Sequence, residues 1–242
     1  MRPPAAPAAP RALLFDVFGT CVDWRTSIAR EVAAAAAGLG AEVDATAFAD
    51  AWRAMYQPSM HAVRTGRRAW TVLDVLHRES LDALLPRFGL GGLDEAARRR
   101  LNTAWHRLDP WPDTVPGLRR LADRFTIAPM SNGNTVLLEA LARHAGLPWH
   151  RILGAETSGA YKPLPQSYLR GVGALGLRPG QVMLCAAHNA DLAAAAAVGL
   201  RTAFIARPRE HGPHQRTDLG PDRPWDLVTR DILDLADALG AG

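Results

Sequence analysis

Five short apolar runs, separated by segments with helical patterning, restrict the fold of this chain more than any other feature. The runs lie at 11–15, 125–130, 151–155, 181–186 and 201–206, and helical patterns cover 133–145, 165–175 and 190–199. Short apolar runs bounded by turn residues indicate buried strands, and strands that alternate with helices predict a parallel sheet covered by helices. The expected fold class is therefore α/β, with a Rossmann-like parallel sheet as its core.

One long segment interrupts this alternation. Residues 25–108 are rich in Ala, Arg and Leu and contain no convincing strand, and the three-proline segment DPWPDTVPGL follows at 109–118. We therefore expect a helical insertion after the first strand, with 109–118 as the return linker. The predicted domains are a discontinuous core, formed by 11–24 and 109–242, and an all-helical cap at 25–108. Residues 1–10, MRPPAAPAAP, are predicted to be a disordered tail, because they are too rich in proline for a signal peptide.

Composition excludes several classes of function. The net charge is only +4 and the arginines are scattered, so nucleic-acid binding is not expected. No apolar run approaches the roughly 20 residues that a membrane helix needs. The two cysteines, Cys21 and Cys185, both lie in apolar runs, which is typical of buried, reduced thiols in a cytoplasmic protein.

Polar residues follow the predicted strands at the edge where a parallel sheet binds its ligands. Asp16 follows the first run and suits a nucleophile, a metal ligand or a helix-cap acceptor. Ser131 and Asn132 follow the second run and suit a site that holds an anion or orients Asp16, or else a helix N-cap. Asp191 lies in the first turn of a predicted helix, where it is either a dipole partner or a partner of another site residue.

Lys162 is the only lysine among 28 basic residues. An ammonium is a compact point charge, whereas a guanidinium is a planar fork that pairs with both oxygens of a carboxylate. A lysine beside Asp16 would keep it ionised and leave one oxygen free for attack. This chemistry favours a functional role for Lys162.

Taken together and in this order, Asp16 with Thr20, Ser131, Lys162 and Asp191 resemble the four motifs of the haloacid dehalogenase superfamily. The resemblance covers residues 11 to about 210. It implies the Rossmann-like core and the helical cap described above. Most members of this superfamily are magnesium-dependent phosphatases.

Two positions distinguish this chain from those phosphatases. The phosphatases carry a second Asp two residues after the nucleophile, and Phe18 occupies that position here. They also carry an extra acidic residue near the last motif, where this chain has His188 and Asn189. Losing carboxylates removes the oxygen ligands that magnesium prefers. The chain therefore resembles the metal-independent 2-haloacid dehalogenase branch, and no cofactor is expected.

Further matches to that branch come from the insertion and from the third motif. Arg53 lies in AWRAMYQ, where the branch has its cap arginine, and Tyr168 follows Lys162 by six residues. There are also departures: Ala186 and His188 stand where better-known members have a serine and an asparagine. The resemblance implies that catalysis uses Asp16, Thr20, Arg53, Ser131, Lys162 and Asp191, and that Val17, Phe18, Asn132, Tyr168 and His188 bind substrate or halide.

The implied reaction starts with attack of Asp16 on C2 of a 2-haloalkanoate, which forms an aspartyl ester that water then hydrolyses. Arg53 would meet the halide or the substrate carboxylate, and Asp191 with His188 would activate the water. A magnesium-dependent phosphatase and a non-catalytic binding member remain the alternatives. The expected partner is a small 2-haloacid, and related enzymes are often homodimers.

Two residues of the insertion and one later segment are left with weaker predictions. His61 and Trp70 would either line a halide pocket or pack within the insertion. RPREHGPHQR, at 207–216, is predicted to be a solvated surface loop, unless its histidines reach the edge of the crevice.

Overall fold

The computed structural model describes residues 9–242, so most of the predicted tail at 1–10 lies outside the described residues. The fold is α/β, as predicted. Five parallel strands form the sheet in the order β4-β1-β5-β6-β7. They are β1 (Ala12–Phe15), β4 (Thr126–Pro129), β5 (Val182–Ala186), β6 (Arg201–Ile205) and β7 (Leu227–Thr229).

Side chains alternate across this sheet and build two hydrophobic clusters. Leu13 and Phe15 of β1 belong to the larger cluster, whereas Leu14 belongs to the smaller one. The larger cluster includes residues of α6 (Thr114–Ala122), α7 (Thr135–Ala145) and α11 (Ile232–Ala238). The smaller one includes residues of α9 (Pro165–Ala174) and α10 (Asn189–Ala197). The sheet is therefore covered by helices on both faces.

Residues 24–106, here called the helical segment, contain helices and no strand. Its helices are α1 (Trp24–Leu39), α2 (Ala45–Ala54), α3 (Tyr56–Arg64), α4 (Leu73–Leu84) and α5 (Glu95–Asn102), with short 3₁₀ turns at Leu85–Phe88 and Thr103–His106. The side chains of Asp23, Asp44 and Asp94 accept hydrogen bonds from the first turns of α1, α2 and α5. Division of the chain into a core and a cap at these boundaries stays a prediction.

The two connections to the helical segment are joined to each other. β2 (Val22–Asp23) enters the segment, β3 (Asp109–Pro110) leaves it, and the two pair in antiparallel fashion. Further bonds join the segment to the loops of the sheet. The Tyr161 hydroxyl donates to the Thr71 carbonyl at 2.6 Å, and Asn134 Nδ2 donates to Asp74 Oδ2 at 2.9 Å.

One strand prediction was wrong. Residues 151–155 form no strand, and Leu153 makes only an isolated bridge with Met130 before α8 (Ala155–Ser158) begins. A Cβ on Gly154 would lie 2.7 Å from the Thr135 backbone nitrogen, so the chain here packs against the start of α7. The apolar residues are buried at the end of the sheet, and periodicity over so short a run cannot distinguish this from a strand.

Both cysteines are free and buried. Within residues 9–242, no helix combines the length and hydropathy needed to cross a bilayer.

Candidate active site

The loops that follow the parallel strands place the predicted polar residues at one edge of the sheet. Asp16 comes directly after β1, Asn132 follows β4, and His188 follows β5 just before α10. Lys162 lies in the loop between α8 and α9. These side chains meet because parallel strands end at the same edge.

The carboxylate of Asp16 is buried and contacts three side chains. Lys162 Nζ lies 3.0 Å from Oδ1, while Thr20 Oγ1 donates to Oδ2 at 2.8 Å and His188 Nδ1 lies 3.2 Å from Oδ2. Burial acts to raise the pKa of Asp16, but the charges and hydrogen bonds of Lys162 and His188 outweigh it and hold that pKa well below its usual range. Asp16 is therefore an ionised carboxylate.

Lys162 lies between two carboxylates. Its Nζ donates to Asp191 Oδ2 at 2.5 Å as well as to Asp16, and its backbone N–H donates to Asn132 Oδ1 at 2.7 Å. Burial acts to lower the pKa of Lys162, but the two carboxylates outweigh it and raise that pKa. Asp191 Oδ1 accepts a further bond from the Tyr168 hydroxyl at 2.6 Å. The ammonium is therefore charged and fixed.

His188 connects Asp16 to a second buried carboxylate. Its Nε2 lies 2.8 Å from Glu210 Oε2, and Trp24 Nε1 donates to Glu210 Oε1 at 3.0 Å. Burial disfavours the imidazolium, but Glu210 and Asp16 outweigh it and raise the pKa of His188. Gly19 makes room for this arrangement: it has φ +86°, and a Cβ there would lie 2.0 Å from Glu210 Oε1.

Arg53 faces this group of residues from the helical segment. Its guanidinium lies 4.2 Å from the centre of the Tyr56 ring and 5.4 Å from that of Trp24, in cation–π geometry. Its Nη1 is buried and has no hydrogen-bond partner, and no carboxylate of residues 9–242 pairs with it. A buried, charged N–H donor without an acceptor fits an anion.

A cavity of about 780 Å³ lies between the sheet edge and the helical segment. Asp16, Phe18, Asn132, Lys162, His188 and Asp191 line it from the sheet, and Arg53, Tyr56 and Arg64 line it from the helical segment. Phe18 packs edge-on against Tyr56 and Trp105, so it joins the nucleophile loop to the segment through apolar contact.

Several predicted residues lie elsewhere. The Ser131 hydroxyl accepts from the Gly133 backbone N–H at 3.1 Å and makes no bond to Asp16. The Val17 side chain is fully buried in the core. Of the two residues suggested for a halide pocket, His61 is exposed, and Trp70 is 38% exposed and packs against Tyr161 with the two rings tilted by 33°. Catalytic or binding roles for Ser131 and Val17 stay predictions.

The prediction of a solvated loop at 207–216 was wrong in its first part. Glu210 is only 1% exposed, and Arg207 is buried, donating to the Thr20 carbonyl and pairing with Asp113. Sequence reasoning missed Glu210 because Arg, Pro, Gly and His surround it. A lone glutamate so close to the end of a buried strand was the one available signal.

The side chains present do not fit a magnesium site of the phosphatase type. An ammonium lies between the carboxylates of Asp16 and Asp191, and Phe18 offers no oxygen. Over residues 9–242, no group of three or more His, Cys, Asp or Glu side chains is arranged to hold a metal ion. We therefore derive no step through a metal.

Comparison with known proteins agrees with this geometry. Residues 10–199 match the haloacid dehalogenase-like hydrolase family. The chain belongs to this family. Among solved structures, the defluorinating L-2-haloacid dehalogenase Rha0230 is 54% identical with a TM-score of 0.95, over 99% of both chains.

Two curated relatives of the family differ in activity. An (S)-2-haloacid dehalogenase from Xanthobacter autotrophicus is 30% identical over 81% of this chain and 75% of its own. An enolase-phosphatase E1 from Sorangium cellulosum is 32% identical over 82% of this chain and 88% of its own. Membership of the family therefore does not determine which reaction a protein catalyses, and the side chains of the site do.

Proposed function

We propose that this protein hydrolyses short 2-haloalkanoic acids to 2-hydroxy acids through an ester on Asp16, without a metal. The observation that carries the proposal is an ionised Asp16 that contacts an ammonium and faces a cavity, with Phe18 in place of the phosphatase carboxylate. High similarity to an L-2-haloacid dehalogenase supports the same substrate class.

In the first step, a carboxylate oxygen of Asp16 attacks C2 of the substrate, and the halide leaves with the electrons of the carbon–halogen bond. Oδ1 suits this step better than Oδ2, since it accepts one hydrogen bond from Lys162 whereas Oδ2 contacts both Thr20 and His188. Arg53 receives the halide or holds the substrate carboxylate, because its buried Nη1 has no other acceptor.

In the second step, water adds to the carbonyl carbon of the Asp16 ester. The bond to the former Oδ1 then breaks, which releases the 2-hydroxy acid and restores the carboxylate. The Thr20 hydroxyl, fixed by the Ala187 backbone N–H at 2.9 Å, stabilises the oxyanion, together with the backbone N–H groups of Val17 and Phe18. The hydroxyl of the product is the former Oδ1, and the water oxygen replaces it in Asp16, so each turnover transfers one solvent oxygen to the enzyme.

The His188–Glu210 pair activates this water. Both oxygens of Asp191 already accept hydrogen bonds, from Lys162 and Tyr168. Esterification removes the negative charge of Asp16 beside His188, which lowers the affinity of the imidazole for its proton. His188 releases that proton to solvent as the halide departs, and the neutral ring then accepts a proton from the attacking water, while Glu210 holds the ring in place and stabilises the imidazolium that forms again.

The helical segment acts as a cap that excludes bulk water during the first step. We assign residues 25–108 to this cap, with 11–24 and 109–242 as the core. In the cell we expect a cytoplasmic homodimer, and dimerisation is testable by light scattering.

The decisive test is halide release from chloro-, bromo- and fluoroacetate and from both 2-chloropropionate enantiomers, with chelator present. A single turnover in ¹⁸O-labelled water should place the label in Asp16 and not in the hydroxy acid. Asp16→Asn should abolish turnover. Label found in the product but never in Asp16 would exclude the ester route.

A phosphatase activity is the second candidate, because the enolase-phosphatase relative is as similar in sequence as the dehalogenase relative. The position of Lys162 and the apolar Phe18 argue against it. Magnesium-dependent hydrolysis of an aryl phosphate, lost in Asp16→Asn, would replace the dehalogenase proposal.

A further inference from the structure

Arg64 brings a second unpaired guanidinium to the cavity. It is the last residue of α3 and lines the cavity beside Gln57 and Pro163. No carboxylate of residues 9–242 pairs with it. The cavity carboxylate of Asp50, by contrast, is neutralised by Arg25.

The hydrogen bonds of Arg64 leave one of its edges open. Nη1 donates to the Lys162 carbonyl at 3.1 Å and to Gln57 Oε1 at 3.2 Å, and Nη2 lies 3.4 Å from the Gln57 carbonyl. These acceptors are uncharged. The Nε–H and one Nη2–H have no acceptor within the described chain, and together they form the edge that binds a carboxylate through two parallel bonds.

The position of this edge relative to Asp16 is set by Lys162. Arg64 bonds to the backbone carbonyl of Lys162, whereas the Nζ of the same residue contacts Asp16. Arg64 and Asp16 are therefore connected through a single residue, and both line the same cavity. A haloacetate has no second carboxylate to offer Arg64, whereas a haloacid with a carboxylate at each end has one.

The cavity has room for the longer acid. Its volume of about 780 Å³ is far larger than a haloacetate, and cavities of roughly 300–1,000 Å³ hold ligands of drug size. Its charge also fits. The guanidinium of Arg64 donates only to uncharged acceptors within the described chain, so a second carboxylate would supply its counter-ion.

We propose that Arg64 forms a subsite for a second carboxylate, so that the substrates of this enzyme include 2-halodicarboxylic acids such as 2-chlorosuccinate. The inference rests on the proposed dehalogenase function and extends it to a substrate class. Arg64 holds the distal carboxylate, and Asp16 attacks the carbon that carries the halogen.

The experiment compares 2-chlorosuccinate with 2-chlorobutanoate, a monocarboxylate of the same chain length. The wild type should show the lower KM for 2-chlorosuccinate. Arg64→Gln should raise that KM at least tenfold more than the KM for 2-chlorobutanoate, and Arg64→Lys should restore part of the difference. Arg67→Gln is the matched control, because Arg67 is exposed and does not line the cavity.

A wild type that prefers 2-chlorobutanoate, or an Arg64→Gln variant that raises both KM values equally, would overturn the inference. Calorimetric titration with unreactive succinate and butanoate separates this failure from failure of the proposed function. If chloroacetate releases halide and neither chloro acid does, the dicarboxylate substrates fall and the dehalogenase proposal stands; if chloroacetate is inert as well, both fall. The titration then still decides the anion subsite: selective loss of succinate binding in Arg64→Gln supports it, and equal loss refutes it.

Discussion

Replacing Glu210 with Gln should separate the two halves of the reaction. Glu210 is buried, touches His188 at 2.8 Å and makes no contact with Asp16. The change therefore leaves the nucleophile, Lys162 and the cavity in place. Alkylation of Asp16 should continue, whereas hydrolysis of the ester should slow because the imidazolium formed by His188 loses its counter-ion.

The size of the effect follows from the geometry of the pair. Two unit charges 2.8 Å apart attract by about 6 kcal/mol at an effective dielectric constant of about 20. Desolvation of both groups offsets roughly half of this, which leaves about 3 kcal/mol. Since about 1.4 kcal/mol corresponds to a factor of ten, ester hydrolysis should slow about 100-fold.

Rapid quench followed by mass spectrometry of the intact protein provides the assay. Glu210→Gln should release one equivalent of halide in a fast phase and accumulate protein that carries the acyl mass, with slow turnover afterwards. The matched control is Glu31→Gln, which removes a carboxylate paired with Arg107 outside the cavity and should show no burst. Wild-type hydrolysis in a correctly folded Glu210→Gln protein would refute the assignment of His188 and Glu210.

Three further predictions concern stability. Gly19→Ala should lower the free energy of unfolding in urea by about 1–3 kcal/mol, because Gly19 has a positive φ and the new Cβ would displace Glu210. The same displacement should slow ester hydrolysis. Burial lowers the pKa of His77 to about 3 in the folded protein. Because the unfolded chain binds a proton at His77 at a higher pH than the folded protein does, the free energy of unfolding falls as the pH drops from about 6.5 towards 3. In denaturant titrations, His77→Phe should raise the free energy of unfolding at pH 4 by about 1–3 kcal/mol. The free energy of unfolding at pH 7 should change little. Phe18→Asp should lower the free energy of unfolding by more than about 3 kcal/mol, because it puts a charge against Tyr56. Added magnesium should neither restore the melting temperature nor produce phosphatase activity.

The sequence was most informative where local pattern and position on the sheet agree. Strands β1, β4, β5 and β6 were predictable because each combines an apolar run with turn residues at its end. Lys162 was predictable as a site residue because an ammonium and a guanidinium differ in their chemistry. The loop between α8 and α9 carries Lys162 to the edge of the sheet where Asp16 and Asp191 lie.

The features that could not be predicted depend on tertiary contacts, which no local sequence pattern encodes. Glu210 lies in a polar segment, and its burial results from Trp24 and His188, which are far away in the chain. Ser131 was expected to contact the nucleophile, but its hydroxyl bonds to Gly133, an alternative that a residue of this type always has at the start of a turn. Strand β7 was missed because it is short and half-exposed at the edge of the sheet.

The pairing of β2 with β3 marks a point at which the helical segment could be exchanged for that of a relative. Both crossings into the helical segment pass through four residues that bond to one another, so the ends to be joined already lie side by side. A chimaera that takes the helices of a relative between these short strands would keep the register of the catalytic loop, provided that the new helices supply counterparts of Arg53 and Trp24. Substrate range could then be exchanged together with the helices, while Asp16, Lys162 and Asp191 stay in place.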